Sequence, residues 1–147
     1  FQGRQELIQQ VIDAQPEVIS HNMETVGRIT PHVRTKATYE VSLQVIKQIA
    51  ESGIVAKSGI MLGLGETREE IIQTMDDLRS VGCNVLTIGQ YLQPTVNNVE
   101  VKEYVTPEVF EEYRQTGLAK GFTHVESSPL VRSSYHAEKH VSREKQA

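Results

Sequence analysis

Apolar positions along this chain change their period repeatedly, and the changes mark out its elements. Leu7, Ile8, Val11 and Ile12 fall at i, i+1, i+4 and i+5, which predicts an amphipathic helix of about ten residues. Pro16 stops it, and Val18-Ile19 opens a strand that reaches His21. Arg28 to Ala37 reads as a loop carrying Pro31. Ser42, Val45, Ile46, Ile49 and Ala50 form one face of a second helix, closed by Gly53. Ile54 through Leu62 reads as a buried strand ending in Gly63-Leu64-Gly65. Thr67 and Glu70 then make a T-x-x-E capping box before the helix face Ile71, Ile72, Met75 and Leu78. Gly82 ends that helix, and Asn84 to Ile88 is the next strand. A long polar loop follows Gln93-Pro94. Thr106 is an N-cap ahead of an N1 proline, Pro107, and starts a helix through Phe110 and Tyr113. Gly121 closes this helix, and Phe122 to Val125 makes a last short strand.

The alternation α-β-α-β-α-β-α-β is the pattern of an α/β fold, a parallel sheet wrapped by helices. Four strands do not close a (β/α) barrel, which takes roughly 250 residues. Two architectures satisfy the pattern: half of a parallel (β/α) barrel, or a small doubly wound domain complete in itself. A half barrel would span residues 1–128, with a tail over 129–147. It would also leave an edge and an apolar inner face uncovered, with the strands at Ile54–Leu62 and Val85–Ile88 as its adhesive surfaces.

Composition narrows the function classes. The 147 residues carry a net charge of −4 and no Trp, which gives no electrostatic footprint for nucleic acid. The longest apolar run, around Ile60–Leu62, is too short to cross a bilayer, and no signal-peptide pattern opens the chain. The expected setting is the cytoplasm. Cys83 is the single cysteine, which excludes an internal disulfide and a self-contained thiolate-ligated cluster. The chain begins at Phe1 rather than a methionine, and the expectation is a piece of a longer protein.

In parallel α/β folds the loops leaving the C-terminal ends of the strands build the site. Three of these are polar beyond the needs of packing. In Ser20-His21-Asn22-Met23-Glu24-Thr25, a carboxamide and a carboxylate at i, i+2 of extended chain point the same way and suit a diol such as ribose. A helix N-cap beside a surface glutamate explains them equally well. Gly59 through Thr67 carries glycines that let a flat or anionic ligand approach the backbone, although a tight strand-to-helix turn has the same requirement. Its spacing is neither the dinucleotide nor the P-loop fingerprint. In Thr87 through Pro94, Gln90, Tyr91 and Gln93 combine amides with an aromatic surface; the mixture suits a nucleobase or a loop anchored by Tyr91 and Pro94. Near the chain's end, Arg132-Ser133-Ser134-Tyr135 sets two hydroxyls between an arginine and a tyrosine after the apolar Pro129-Leu130-Val131.

Taken in order, these segments, together with Tyr104-Val105-Thr106-Pro107-Glu108, resemble the lipoyl synthase family over nearly the whole chain, from Phe1 to about Glu138. The resemblance implies a radical S-adenosylmethionine (SAM) enzyme that inserts two sulfur atoms at C6 and C8 of a protein-bound octanoyl-lysine. Such an enzyme uses two 4Fe–4S clusters, one to cleave SAM and an auxiliary one consumed as sulfur source. It further implies that Asn22 and Glu24 contact the ribose and that Gly59-x-Met61-x-Gly63-x-x-Glu66 supports the adenine side. Gln90 and Tyr91 would lie near the adenosyl group. Ser134 would be the auxiliary cluster's ligand, with Ser133 as the alternative; a serine alkoxide is a harder and less firmly matched iron ligand than thiolate. The implied partners are an octanoylated lipoyl carrier domain or glycine-cleavage H protein, and an electron donor such as ferredoxin or flavodoxin.

One departure is large. The family's two cysteine triplets are absent, and Cys83 matches neither. The chain alone is therefore expected to be inactive as a sulfur inserter, and activity is expected only with the half that carries the triplets. A biotin-synthase-like sulfur inserter would share Asn22, Glu24, Gly63 and Glu66, but not the Arg132–Tyr135 motif. A self-contained nucleoside-binding module and a decayed product without activity are the competing readings. The histidines at 32, 124, 136 and 140 receive no role.

Overall fold

The computed structural model describes residues 5–33 and 38–130. The chain forms α1 (Gln5–Asp13), β1 (Val18–Ser20), α2 (Thr30–Val33), α3 (Tyr39–Glu51), β2 (Val55–Leu62), α4 (Arg68–Ser80), β3 (Val85–Gln90), α5 (Pro107–Ala119) and β4 (His124–Ser127). The order read from the sequence holds, with three corrections. The segment taken as a loop after Arg28 contains α2, which tolerates Pro31 because a first helical turn has no partner for that missing N–H. The third strand runs on to Gln90, and the fourth begins at His124 rather than Phe122. Phe122 instead packs in the core at 3% exposure. Both expected caps form: Thr67 and Glu70 exchange side-chain-to-backbone bonds at the start of α4, and Thr106 caps α5 with Pro107 in its first turn.

The four strands are all parallel and lie in the order β1-β2-β3-β4. This order decides between the two architectures. A doubly wound sheet reverses direction at a switch point; here every connection steps the same way, and right-handed crossovers then put the helices on one side. That is the winding of a barrel wall. Ser127 donates its hydroxyl to the Phe110 carbonyl of α5 at 2.6 Å, and Val125 lies against Gly117 of the same helix. Val125 and Ser127 therefore face the helices. By register so do Leu86 and Ile88 on β3 and Ser58 and Ile60 on β2. The alternate residues, Lys57 and Gly59 on β2, Val85 and Thr87 on β3, and His124 and Glu126 on β4, share the opposite, inner face.

The core lies between sheet and helices. Ile46 and Ile49 of α3, Ile71, Met75 and Leu78 of α4, and Phe110 of α5 are buried there with Ile60, Leu86 and Ile88. The expectation of adhesive strands at Ile54–Leu62 and Val85–Ile88 is corrected: Ile60, Leu62, Val85, Leu86 and Ile88 are all at most 2% exposed. Most of these apolar residues occupy helix-facing rows, while the inner rows of β2 carry Lys57 and Gly59. Cys83 is the buried small residue anticipated, fully inaccessible, and burial pushes its thiol up to about 12.

The Glu70 carboxylate ties three segments together. It accepts from Arg28 Nε at 2.7 Å, from Arg28 Nη2 at 3.0 Å, and from the Thr67 N–H at 2.8 Å. The Arg28 guanidinium and the Thr67 amide hold this carboxyl at about 2, below the ordinary carboxylate value of about 4.3. Its stabilisation is thus present above about pH 4.3 and lost as pH falls through about 2. Thermal melts from pH 6 down to pH 2 should show a falling midpoint, and Glu70→Ala should cost about 1–2 kcal/mol at neutral pH while flattening part of that fall. An unchanged acid limb in the variant contradicts this role.

Candidate functional site

Because the strands are parallel, their C-terminal ends share one rim, where the predicted residues gather. Beyond Ser20 the chain continues to bond to β2: His21 N–H donates to the Lys57 carbonyl at 2.9 Å, and the Met23 and Glu24 N–H groups both donate to the Gly59 carbonyl at 3.1 Å. The Met61 N–H returns to the Glu24 carbonyl at 2.8 Å. Glu24 adopts φ +70, a conformation that non-glycine residues seldom take and that marks a strained, position-specific backbone. The extended i, i+2 relation expected between Asn22 and Glu24 therefore does not hold. Their places are set by the pairing with β2 and by the left-handed turn at Glu24.

Asn22 sits over Gly59, and glycine is required there by close approach. A Cβ on Gly59 would lie 2.6 Å from Thr87 Oγ1 and 3.0 Å from Asn22 Oδ1. The absent side chain brings the first three strands' polar groups together on the inner face. Beside Glu24, the Thr25 hydroxyl oxygen is buried with no hydrogen-bond partner among the described residues.

At the end of β2 the glycine turn has the positive φ that the tight-turn reading required, +97 at Gly63 and +101 at Gly65. Glu66 closes it: its carboxylate accepts from the N–H groups of Gly63 at 3.0 Å and Leu64 at 2.9 Å. Arg28 reaches from the loop after β1 to the Gly65 carbonyl at 2.9 Å, joining the first two rim loops.

Gln90 ends β3 and spends its amide on the chain. Its Nε2 donates to the Tyr91 and Glu103 carbonyls, and its Oε1 accepts from the Val105 N–H at 2.9 Å. Tyr91 is 6% exposed and donates its hydroxyl to the Val99 carbonyl at 2.6 Å. The Lys102 N–H completes the stitch on the Gly63 carbonyl at 2.7 Å. The loop-anchor reading of this segment is therefore realised. Gln90 and Tyr91 hold the strap over residues 91–106 against the glycine turn, with their polar ends used internally.

Sequence reasoning missed the inner-face pair Lys57 and Glu126. Lys57 is 1% exposed; burial depresses its ammonium and Glu126 opposes that depression. A lysine between Ala56 and Ser58 in a strand otherwise read as buried was the available signal. Ser133 and Ser134, with the rest of their motif, lie outside the described residues, as do His136 and His140.

The described residues contain no cluster of His, Cys, Asp and Glu able to hold a metal ion, and no helix among them is long and apolar enough to cross a membrane. Cys83, buried and with a raised thiol, does not fit an iron–sulfur centre. What the rim itself offers is a glycine-permitted close approach at Gly59 and a turn whose amides Glu66 caps. Replacing Gly59 by alanine should cost about 1–3 kcal/mol through overpacking, and Thr87→Ala in the same background should recover part of it. Melting temperatures of the two variants check this; a Gly59→Ala protein as stable as its parent contradicts the packing.

Comparison with known proteins places this geometry. Residues 2–78, just over half of the chain, match the model of the radical SAM superfamily. The chain is 70% identical over 141 residues to the lipoyl synthase of Treponema denticola, covering 96% of this chain and 49% of that protein. It is 69% identical to the lipoyl synthase of Bacteroides fragilis over the same share, and 58% identical to that of Porphyromonas gingivalis over 142 residues. The chain spans about half the length of the curated relatives it matches. A one-way parallel sheet, a glycine turn on its C-terminal rim and a family match over its first half have one common reading: the chain belongs to the radical SAM superfamily.

Proposed function

We propose that this chain supplies the nucleoside-binding half of a SAM site in a lipoyl-synthase-type enzyme, one that inserts two sulfur atoms into a protein-bound octanoyl-lysine. The observation that carries the reading is the seat formed by Asn22, Gly59 and Thr87 at the rim. It lies on the strand that leads into the Gly63–Glu66 turn, in a chain similar along 96% of its length to lipoyl synthases.

In this reading Asn22 and Glu24 bind the ribose hydroxyls, as amide and carboxylate suit a diol. Gly59, Met61 and Gly63 give the adenine a flat approach to β2 and its turn, which Glu66 holds in shape. Gln90 and Tyr91 serve the site by fixing the strap beside it. Bound SAM would supply a 5′-deoxyadenosyl radical once an iron–sulfur cluster delivers an electron. The described residues offer no such cluster a place, so the cluster ligands would be contributed by other parts of the protein, with Ser134 proposed for the auxiliary cluster. An octanoylated carrier domain or glycine-cleavage H protein would present the acyl chain, and ferredoxin or flavodoxin the electron. A biotin-synthase-like reaction has less support, because the relatives matched are called lipoyl synthases.

The test uses the full-length protein that contains this segment, reconstituted anaerobically and assayed by mass spectrometry of an octanoylated carrier peptide. The expected product carries two added sulfur atoms. Asn22→Ala should raise the Kd for SAM about tenfold, the loss of roughly one charge-free hydrogen-bonded contact in a buried site. A parent protein that binds no SAM, or an Asn22→Ala variant that binds it as tightly as the parent, contradicts the reading.

A further inference from the structure

Two loops carry the proposed nucleoside contacts, the one after β1 and the turn after β2, and the sheet fixes only their near ends. The Glu24 N–H donates to the Gly59 carbonyl at 3.1 Å and the Met61 N–H to the Glu24 carbonyl at 2.8 Å. Past this bridge no strand pairing joins the two loops among the described residues. Glu24 stands there at φ +70, a conformation that a non-glycine residue holds only where its surroundings over-determine it. Four residues further on, Arg28 Nη2 donates to the Gly65 carbonyl at 2.9 Å, while Nε and Nη2 take the two oxygens of Glu70 at 2.7 and 3.0 Å. The piece that joins Glu24 to Arg28 is itself tightly bonded. Val26 is buried, and the Ile29 N–H, the Thr30 N–H and the Thr30 hydroxyl all donate to its carbonyl, at 3.1, 3.0 and 2.9 Å. On the other side Gly65 adjoins Glu66, whose carboxylate holds the Gly63 and Leu64 N–H groups. One guanidinium thus closes a ring of contacts that runs from Glu24 through β2 to Gly65 and back.

The Arg28 side chain is 60% exposed and that of Glu70 24%, and an ion pair so open to water adds little to folding. Its geometry is the more telling property. A planar fork that meets a carboxylate edge and a carbonyl at once fixes the relative position of the segments that bear them. We propose that Arg28 is a positioning residue of the SAM site, setting the spacing between the loop that carries Asn22 and Glu24 and the turn that carries Gly63, so that ribose and adenine are met in one geometry. This rests on the SAM reading above and deepens it. Arg28 acts through the two loops and not on the ligand. Without it their near ends stay joined at the sheet while their far ends are free to separate, and SAM must spend part of its binding free energy on bringing them together. The loss therefore falls on SAM affinity and not on the chemistry that follows binding.

The experiment uses the full-length protein, reconstituted anaerobically, as the parent, Arg28→Ala, Glu70→Gln and the double variant. Glu70→Gln removes the charge that faces Arg28 while keeping an oxygen for the Thr67 N–H. Equilibrium dialysis gives the Kd for SAM and the number of sites, and turnover of an octanoylated carrier peptide gives KM for SAM and kcat. Each single substitution is expected to raise Kd and KM at least about fivefold, and the double to lie within about twofold of the weaker single, because one shared contact is lost once. The number of sites and kcat at saturating SAM should stay within about twofold of the parent, the signature of a loss confined to binding. An unchanged Kd in either single variant overturns the proposal. So does a fall in the number of sites with Kd preserved in those that remain, which marks a purely structural part, and so do losses that multiply in the double. A parent that binds no SAM would instead overturn the SAM reading on which the proposal stands, which keeps the two failures apart. Where Arg28→Ala melts below the assay temperature, Glu70→Gln is read by the same split between Kd and the number of sites.

Discussion

The one-way winding of the sheet is the constraint from which the rest follows. Each crossover advances from β1 to β4 without reversal, so the helices lie on one side and the other face of the sheet is left free of them. The apolar rows Ile60, Leu86 and Ile88 turn to the helices and form the core. The opposite rows are released from that task, and the chain uses them for Lys57, Thr87 and Glu126. The same parallel order aligns the strand ends, which is why loops distant in sequence meet along a single rim.

That rim is held by backbone and side-chain bonds together with the apolar packing of Met23, Leu64 and Tyr91 in the core and of Val99, Val101 and Val105 against it. Arg28 links the loop after β1 to the turn after β2, and Gln90 links the end of β3 to the strap at Glu103 and Val105. Glu66 and Glu70 satisfy the amides that a turn and a helix start leave unmet. Polar residues that look like ligand contacts in a linear reading are thus partly engaged in shaping the cradle. Gln90 illustrates the point. Its residue type suggested nucleobase pairing, whereas its amide positions the wall beside the seat.

What could be read from the sequence divides along the range of the interactions. Thr67 with Glu70 and Thr106 with Pro107 are caps encoded within four residues, and both appear as expected. The helix α3 was legible from Val45, Ile46 and Ile49, and the strands from their apolar runs. The left-handed Glu24 was not, because nothing local demands it; the ladder to Gly59 and Met61 imposes it. The Lys57–Glu126 relation was hidden for a similar reason, since the two residues are 69 positions apart and meet only through the register of β2, β3 and β4. Within the glycine-bearing segment 59–67, Gly59 is a steric glycine of β2, which only the positions of Asn22 and Thr87 reveal.

The central claim is that the C-terminal rim of this sheet is a nucleoside site. Hydrogen–deuterium exchange of the full-length protein, with and without SAM, tests it most directly, because exchange reports on each segment separately. The account predicts slower exchange on SAM addition in residues 20–25, 59–66 and 87–91, with α1 and α3 unchanged. Protection confined to the helices or to the opposite ends of the strands, with these three segments unaltered, would contradict it.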